Sequence, residues 1–380
     1  MSIKLNTLDM KKTIFYFLVI STFNIVSQTS GECLISGGDK YIKKDYRGAI
    51  QDYSKAINLD VNYADAYVAR GEAKYQLKDY SGAIQDYDKA IALDVNHADS
   101  YTARGVVKYD LNDNRGAIQD FNKAIELVPD SKFNYYFRAE AKIKLGNYSE
   151  AISDYSMAIE LGHNQPYTYF YRGQAKYKLE DYNAAIEDFS TVIELDVNYR
   201  ESYVLRGSAK QFLGDNTGAI QDFNVAIKLA PNGAWLYSKR GLSKLELKDY
   251  RGAILDYNMA IKLGDSNKET YFERGLSKHR LEDYRGAILD YNIAIKLDVK
   301  YGDAYVNRGS AKQLLNDYRG AILDFSKAIE LDPNSTTAYL NRGLSKISLK
   351  EINGGCLDFS KAGELGYTKA YDIIQKFCNQ

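Results

Sequence analysis

The stretch at 249–265, "DYRGAILDYNMAIKLGD", returns thirty-four residues later at 283–299 as "DYRGAILDYNIAIKLDV". The same period of 34 runs from residue 30 to 369 without an insertion or deletion. It defines ten repeats: 30–63, 64–97, 98–131, 132–165, 166–199, 200–233, 234–267, 268–301, 302–335 and 336–369. Positions are numbered 1–34 within each. A unit this short cannot bury an apolar face alone. Stacked copies can, so the period predicts a solenoid rather than a single closed core.

Each repeat reads as two helices. Positions 4, 7, 8 and 11 recur at helical spacing, as do 20, 24, 27 and 28. Position 4 is tyrosine in nine repeats, with Cys33 the exception, and position 8 is glycine in nine, with Ala139 the exception. Position 20 is alanine until Gly355, position 24 is Tyr or Phe throughout, and position 30 is always leucine. Asp or Asn at position 16 in nine repeats is placed to cap the second helix. Glycine inside a helix is about 1 kcal/mol worse than alanine, so the row at position 8 implies a close approach between helices. The small residue at position 20 is the expected facing partner, with the aromatic at 24 beside it.

The residues that carry the period, such as Tyr67, Gly71, Ala83, Tyr87 and Ala90, resemble the tetratricopeptide repeat. The resemblance covers residues 30–369. It implies an all-α fold: an α-solenoid, a right-handed superhelix of antiparallel helix pairs, with 370–380 ending a C-terminal capping helix. It also implies a protein-interaction scaffold that holds a peptide or partner helix in its concave groove. The family's proline at position 32 is kept only at Pro129, Pro231 and Pro333. Positions 5 and 9, which hold the Lys and Asn of the family's carboxylate clamp, are here Val68 and Glu72, Thr102 and Val106, Tyr136 and Glu140. That clamp is absent.

Three rows are charged where the family is usually apolar or variable. Position 7 is arginine in nine repeats, from Arg70 to Arg342, with Ser36 first; position 11 is lysine in all ten and position 23 aspartate in all ten. A specific ligand needs variation between repeats, and these rows do not vary, so they read as a structural ladder of ion pairs. Ser36 lacks a preceding aspartate and Lys376 follows Asp358, which points to pairing between each aspartate and the next repeat.

The face of the first helix at positions 2, 5, 6, 9, 12 and 13 points away from the second helix. In repeats 4 and 5 it is aromatic: Phe133, Tyr136, Phe137, Tyr167, Phe170, Tyr171 and Tyr177, with Trp235 at position 2 of repeat 7. Tyr41, Tyr75 and Tyr109 occupy position 12 earlier in the chain. These eight residues from Phe133 to Trp235 are the expected partner-binding set. The alternatives are stacking on sugar rings of a cell-envelope glycan, or a spacer with no specific ligand.

The chain has 50 basic and 50 acidic residues, which argues against nucleic acid as a main partner. His97, His163 and His279 have no companion at metal-ligand spacing and read as solvated surface residues. No nucleophile–base pair, phosphate loop, metal site or cofactor site is predicted, so the chain does not read as an enzyme. Lys4, Lys11 and Lys12 precede the apolar run 13–26, followed by "SQTSG". This pattern predicts a signal peptide over 1–29, cleaved between Ser27 and Ser30, and a secreted or periplasmic protein; an uncleaved membrane anchor is the alternative. Met10 opens "MKKTIF" and reads more naturally as a start than Met1. No later segment has the length and apolarity to span a membrane. Cys356 and Cys378 are close in sequence near the end and are expected to pair, leaving Cys33 as the odd one.

Overall fold

The computed structural model describes residues 28–378; the apolar run 13–26, on which the signal peptide was read, lies outside them. The described chain is an all-α solenoid, twenty helices in ten hairpins with a short helix after them and no strand among the described residues. It divides into two compact blocks, one ending at Asp196 and one beginning at Val197. In the first block, helices A and B of repeats 1–5 are Gln28–Ile42 and Tyr46–Leu59, Ala64–Gln76 and Tyr80–Leu93, Ala98–Asp110 and Asn114–Leu127, Lys132–Lys144 and Tyr148–Glu160, Pro166–Lys178 and Tyr182–Leu195. In the second block, repeats 6–10 are Arg200–Phe212 and Asn216–Leu229, Ala234–Glu246 and Tyr250–Lys262, Lys268–Arg280 and Tyr284–Leu297, Gly302–Leu314 and Tyr318–Leu331, Thr336–Ser348 and Ile352–Glu364. Within a block, helix A packs on helix B of its own repeat, on helix B of the preceding one, and on the helix A that follows.

The turn between A and B follows from local chemistry. Position 15 lies in the left-handed region in every repeat, for example Lys78 at φ 64° and Glu282 at φ 65°. It closes helix A with a six-to-one bond, as in Asp79 N–H to the Lys74 carbonyl at 2.9 Å. The next residue then caps helix B: the Asp79 carboxylate accepts from Gly82 N–H at 3.0 Å and Asp249 from Gly252 at 2.9 Å. Asn147 and Glu351 make no such bond.

Glycine at position 8 seats the aromatic ring of position 24. A Cβ on Gly71 would lie 2.7 Å from the Tyr87 ring, and one on Gly105 would lie 2.8 Å from Phe121. The facing partner is therefore the ring itself and not the small residue at position 20, because the ring is wide enough to reach across both helices. In three of the five repeats with tyrosine there, the hydroxyl meets a neighbouring carboxylate. Tyr87 donates to Glu72 at 3.3 Å, Tyr155 donates to Glu140, and Tyr257 donates to Glu273 at 2.8 Å. Repeats 3, 5, 6, 9 and 10 carry phenylalanine there. Tyr53 and Tyr291 break the rule, and their buried hydroxyls find no partner among the described residues.

The charged rows are a ladder, but the register differs from the sequence expectation. Each arginine pairs with the aspartate of its own repeat, sixteen residues on, across the A–B hairpin. Arg104 donates Nε and Nη2 to Asp120 at 3.0 and 2.6 Å, and Lys108 Nζ lies 2.7 Å from the same carboxylate. The link between repeats is the third guanidinium nitrogen: Arg138 Nη1 donates to Asn122 at 2.7 Å and Arg172 Nη1 to Ser156 at 3.0 Å, both on the preceding helix B. Ser36 fits this geometry, since repeat 1 has no earlier repeat to reach. It donates to Asp52 at 2.7 Å, and with Lys40 first and Ser36 second the Asp52 carboxyl is held at about 2. Asp358 likewise takes Arg342 and Lys346 of its own repeat, at 2.6 and 2.8 Å, while Lys376 lies over the Phe377 ring. Position 4 completes the row, with each arginine over its tyrosine, as Arg70 lies 5.4 Å from the Tyr67 ring centre.

The last helix, Ala370–Phe377, lays Ile373 and Ile374 against Phe359 and Ala362 of repeat 10. A disulfide joins Cys356 of helix B to Cys378 after it, with 6.0 Å between Cα atoms, and Cys33 is a free, half-buried thiol.

Two glycines separate packing from helix preference. Gly71→Val drives a side chain into the Tyr87 ring and lowers unfolding stability by about 1–3 kcal/mol in urea titration. Gly38, with nothing within 4 Å of an added Cβ, gains about 0.5–1 kcal/mol as Gly38→Ala. The tyrosine rule is checked the same way. Tyr291→Phe is neutral or stabilising, whereas Tyr155→Phe loses about 1–2 kcal/mol because Glu140 loses a donor.

Candidate interaction surface

Helix A packs against more than its own helix B, and that decides which of the sequence-selected aromatics reach solvent. Tyr136, Phe137 and Phe170 are 3%, 1% and 6% exposed. They are core residues, which corrects their placement on an outward face. The helical wheel allowed for one neighbour only. Phe137 stacks on Phe121 of the preceding repeat, with ring centres 6.0 Å apart, and Phe170 packs on Phe189 at 6.0 Å. Tyr136 contacts Tyr155 at 5.8 Å and Tyr167 of the following repeat at 5.4 Å. Phe133, Tyr167, Tyr171 and Tyr177 are partly exposed, with Tyr177 edge-on to Tyr182 at 5.3 Å. Trp235, in the second block, is 46% exposed.

A strip of tyrosines and carboxylates runs along helix A through the first block. Tyr41 donates to Glu72 at 3.1 Å, Tyr75 donates to Asp110, and Tyr109 donates to Glu140 at 3.3 Å. Each bond joins consecutive repeats. Burial, and then the charge of Glu140, raise the Tyr171 hydroxyl, so Tyr171 continues the strip. Burial raises the Glu140 carboxyl, while Tyr155 and Tyr109 pull it back down by donating to it. The glutamates were not selected from sequence, although a signal existed. Glu at position 9 occurs where its own repeat has Tyr at 24 and the preceding repeat has Tyr at 12. Position 12 in the second block is Gln211, Leu245, His279, Gln313 and Ile347, so it holds no tyrosine.

The histidines are not solvated surface residues. His163 is 3% exposed, and its ring nitrogens meet Thr168 Oγ1 at 2.7 Å and Tyr167 Oη at 3.4 Å. Burial, then the charge of Lys132, push it down to about 4. His97 lies 2.9 Å from Asp65 and 2.9 Å from Ser100 Oγ. Burial disfavours its cation, but the hydrogen bond and charge of Asp65 outweigh that and raise it. His279 is half-buried, edge-on to Tyr284 at 5.2 Å. Some neighbours come from the next repeat, as Ser100 does for His97 and Thr168 for His163, and others from the far end of the same repeat, as Asp65 does for His97. Among the described residues no cluster of three or more His, Cys, Asp or Glu is placed to hold a metal ion, and no helix is long and apolar enough to cross a membrane.

A stack of helical hairpins with one face of recognition-type residues defines a repeat scaffold. Profiles described as TPR repeat match residues 37–78, 71–112 and 139–180, and profiles described as tetratricopeptide repeat match 98–131, 172–234 and 302–335. The chain belongs to the tetratricopeptide-repeat family and is a scaffold of the protein-interaction class. A search of curated proteins finds no match. Among solved structures, the C-terminal part of a TPR repeat-containing protein from Cytophaga hutchinsonii is 19% identical, with a TM-score of 0.54, covering 62% of this chain and 98% of that one. YrrB, a TPR protein with an unusual peptide-binding site, is 22% identical over 48% of this chain and 95% of its own, at a TM-score of 0.46. MamA protein is 26% identical over 45% of this chain and 94% of its own, at 0.42.

One carboxylate on helix A makes a pH prediction. Burial raises Glu273 to about 7, although the Tyr257 hydroxyl pulls it down. Its folded value lies above its unfolded one, so its contribution is complete below about 4.5 and is lost as pH rises through about 7. In chemical denaturation Glu273→Gln therefore gains on the natural chain between pH 5 and pH 8. A gap that does not change with pH would contradict this.

Proposed function

We propose that the chain is an exported interaction scaffold that receives an extended peptide along the tyrosine–carboxylate strip of repeats 1–5. The continuity of that strip carries the reading. Tyr41, Glu72, Tyr75, Asp110, Tyr109, Glu140 and Tyr171 follow one another through five repeats, and the second block has no counterpart. Tyr41 is buried and anchors the strip, while the half-buried Tyr75, Tyr109 and Tyr171 supply broad contact area at low entropic cost, with hydroxyl oxygens that accept from a peptide N–H. Carboxylates set at intervals add polarity to the register. The partly exposed Phe133, Tyr167 and Tyr177 extend the same surface, and the buried Tyr136, Phe137 and Phe170 hold it in shape. The Cys356–Cys378 bond and the basic-then-apolar N-terminal sequence support an oxidising destination outside the cytoplasm.

The test is selection from a peptide display library on the full mature chain, followed by affinity measurement on the selected peptide. Tyr109→Ala and Tyr171→Ala each weaken binding about tenfold or more, while Trp235→Ala leaves it unchanged. Equal binding by all three variants would place the ligand elsewhere.

A further inference from the structure

We propose that the outer face of helices B in repeats 7–10 is a docking surface for an anionic lipid bilayer. Position 22 carries the observation. It is Gln51, Gln85, Gln119, Ser153, Glu187 and Gln221 in repeats 1–6, as a solvated face should be. In repeats 7–10 it becomes Leu255, Leu289, Leu323 and Leu357, which are 68%, 64%, 72% and 72% exposed. These are the four most exposed leucines of the described chain, and they fall on four consecutive repeats of one block. Single exposed leucines are ordinary, whereas a contiguous row marks an interaction site. Met259 and Ile293, one turn on, widen the row, each being 37% exposed.

The charge around the row selects the partner. Arg251, Arg285 and Arg319 stand four residues before the first three leucines and are exposed, and Lys262 and Lys296 stand seven residues after Leu255 and Leu289. The acidic residues of the same face, Glu330 and Glu364, are already held by Lys327 and Lys361 at 2.6 and 2.9 Å. The row is thus apolar and basic, complementary to a surface that is apolar and anionic. Two such surfaces exist in principle, an acidic protein and an anionic bilayer. Protein hot spots favour Trp, Tyr and Arg and under-use Leu. Faces that lie in the bilayer interface combine Leu with Lys and Arg, as this one does. The proposal is independent of the peptide strip, which lies in the other block and on the other helix of each repeat.

Flotation of the full mature chain with vesicles of phosphatidylcholine alone, or of phosphatidylcholine with one quarter phosphatidylglycerol, tests it. Expected are binding to the anionic vesicles, at least a tenfold lower partition coefficient for neutral ones, and weakening by salt. The variant Leu255→Gln, Leu289→Gln, Leu323→Gln, Leu357→Gln places at each site the residue that earlier repeats use. The leucines are exposed, so its melting temperature and circular dichroism match the natural chain. It loses the anionic vesicles by tenfold or more. Equal binding by the variant, or no binding by the natural chain, overturns the proposal. So does a leucine-dependent dimer in sedimentation without vesicle binding, which would make the face a contact between copies. Retention of vesicle binding by Tyr109→Ala and Tyr171→Ala keeps this result separate from the fate of the peptide strip.

Discussion

The aspartate at position 23 holds each hairpin together. It is buried in all ten repeats, between 2% and 4% exposed, and is an anion that the interior would reject alone. In nine repeats arginine from helix A grips both of its oxygens, with Ser36 in that place in repeat 1, and lysine one turn later binds it again. The same guanidinium then reaches back to the preceding helix B and lies over its own tyrosine. One side chain therefore ties helix A to helix B, and one repeat to the next. A buried ion pair of this kind is weak evidence for net stability but strong evidence for register. A slip of one residue would leave ten carboxylates buried without cations.

With register set by positions 7, 8, 11, 23 and 24, other positions are released. Position 12 of helix A and position 22 of helix B are among them, and both vary by block. In the first block the variation builds tyrosines and carboxylates on helix A. In the second it replaces glutamine with leucine on helix B. The two surfaces lie in different blocks and on different helices, and their chemistry is unlike.

Much of the fold was legible in the sequence because its cause repeats. A residue type that recurs ten times at one position shows its role without a structure. The cap at Asp79, the glycine at Gly71 and the charged ladder were all readable in this way. The register of the ladder was not, because Arg70 has an aspartate both sixteen residues ahead and eighteen behind, at Asp86 and Asp52. Only three-dimensional reach decides between them. The exposure of the aromatic residues was legible in part. Phe133 and Tyr171 reach the surface, whereas Tyr136 and Phe137 lie in the core, because a helical wheel does not count the neighbours of a helix. His163 was misread for the same reason, since it is enclosed by Tyr136 of its own repeat and by Tyr167 and Thr168 of the next.

The most direct test of the hairpin account is a double-mutant cycle on Arg274 and Asp290. Unfolding free energies are measured for Arg274→Ala, Asp290→Ala and the pair. The account predicts a coupling energy of about 2–3 kcal/mol, with the double variant less damaged than the sum of the singles, because Asp290→Ala strands the Arg274 guanidinium and Arg274→Ala leaves the buried Asp290 with Lys278 alone. A coupling within about 0.5 kcal/mol of zero would mean that the ladder decorates hairpins held by something else.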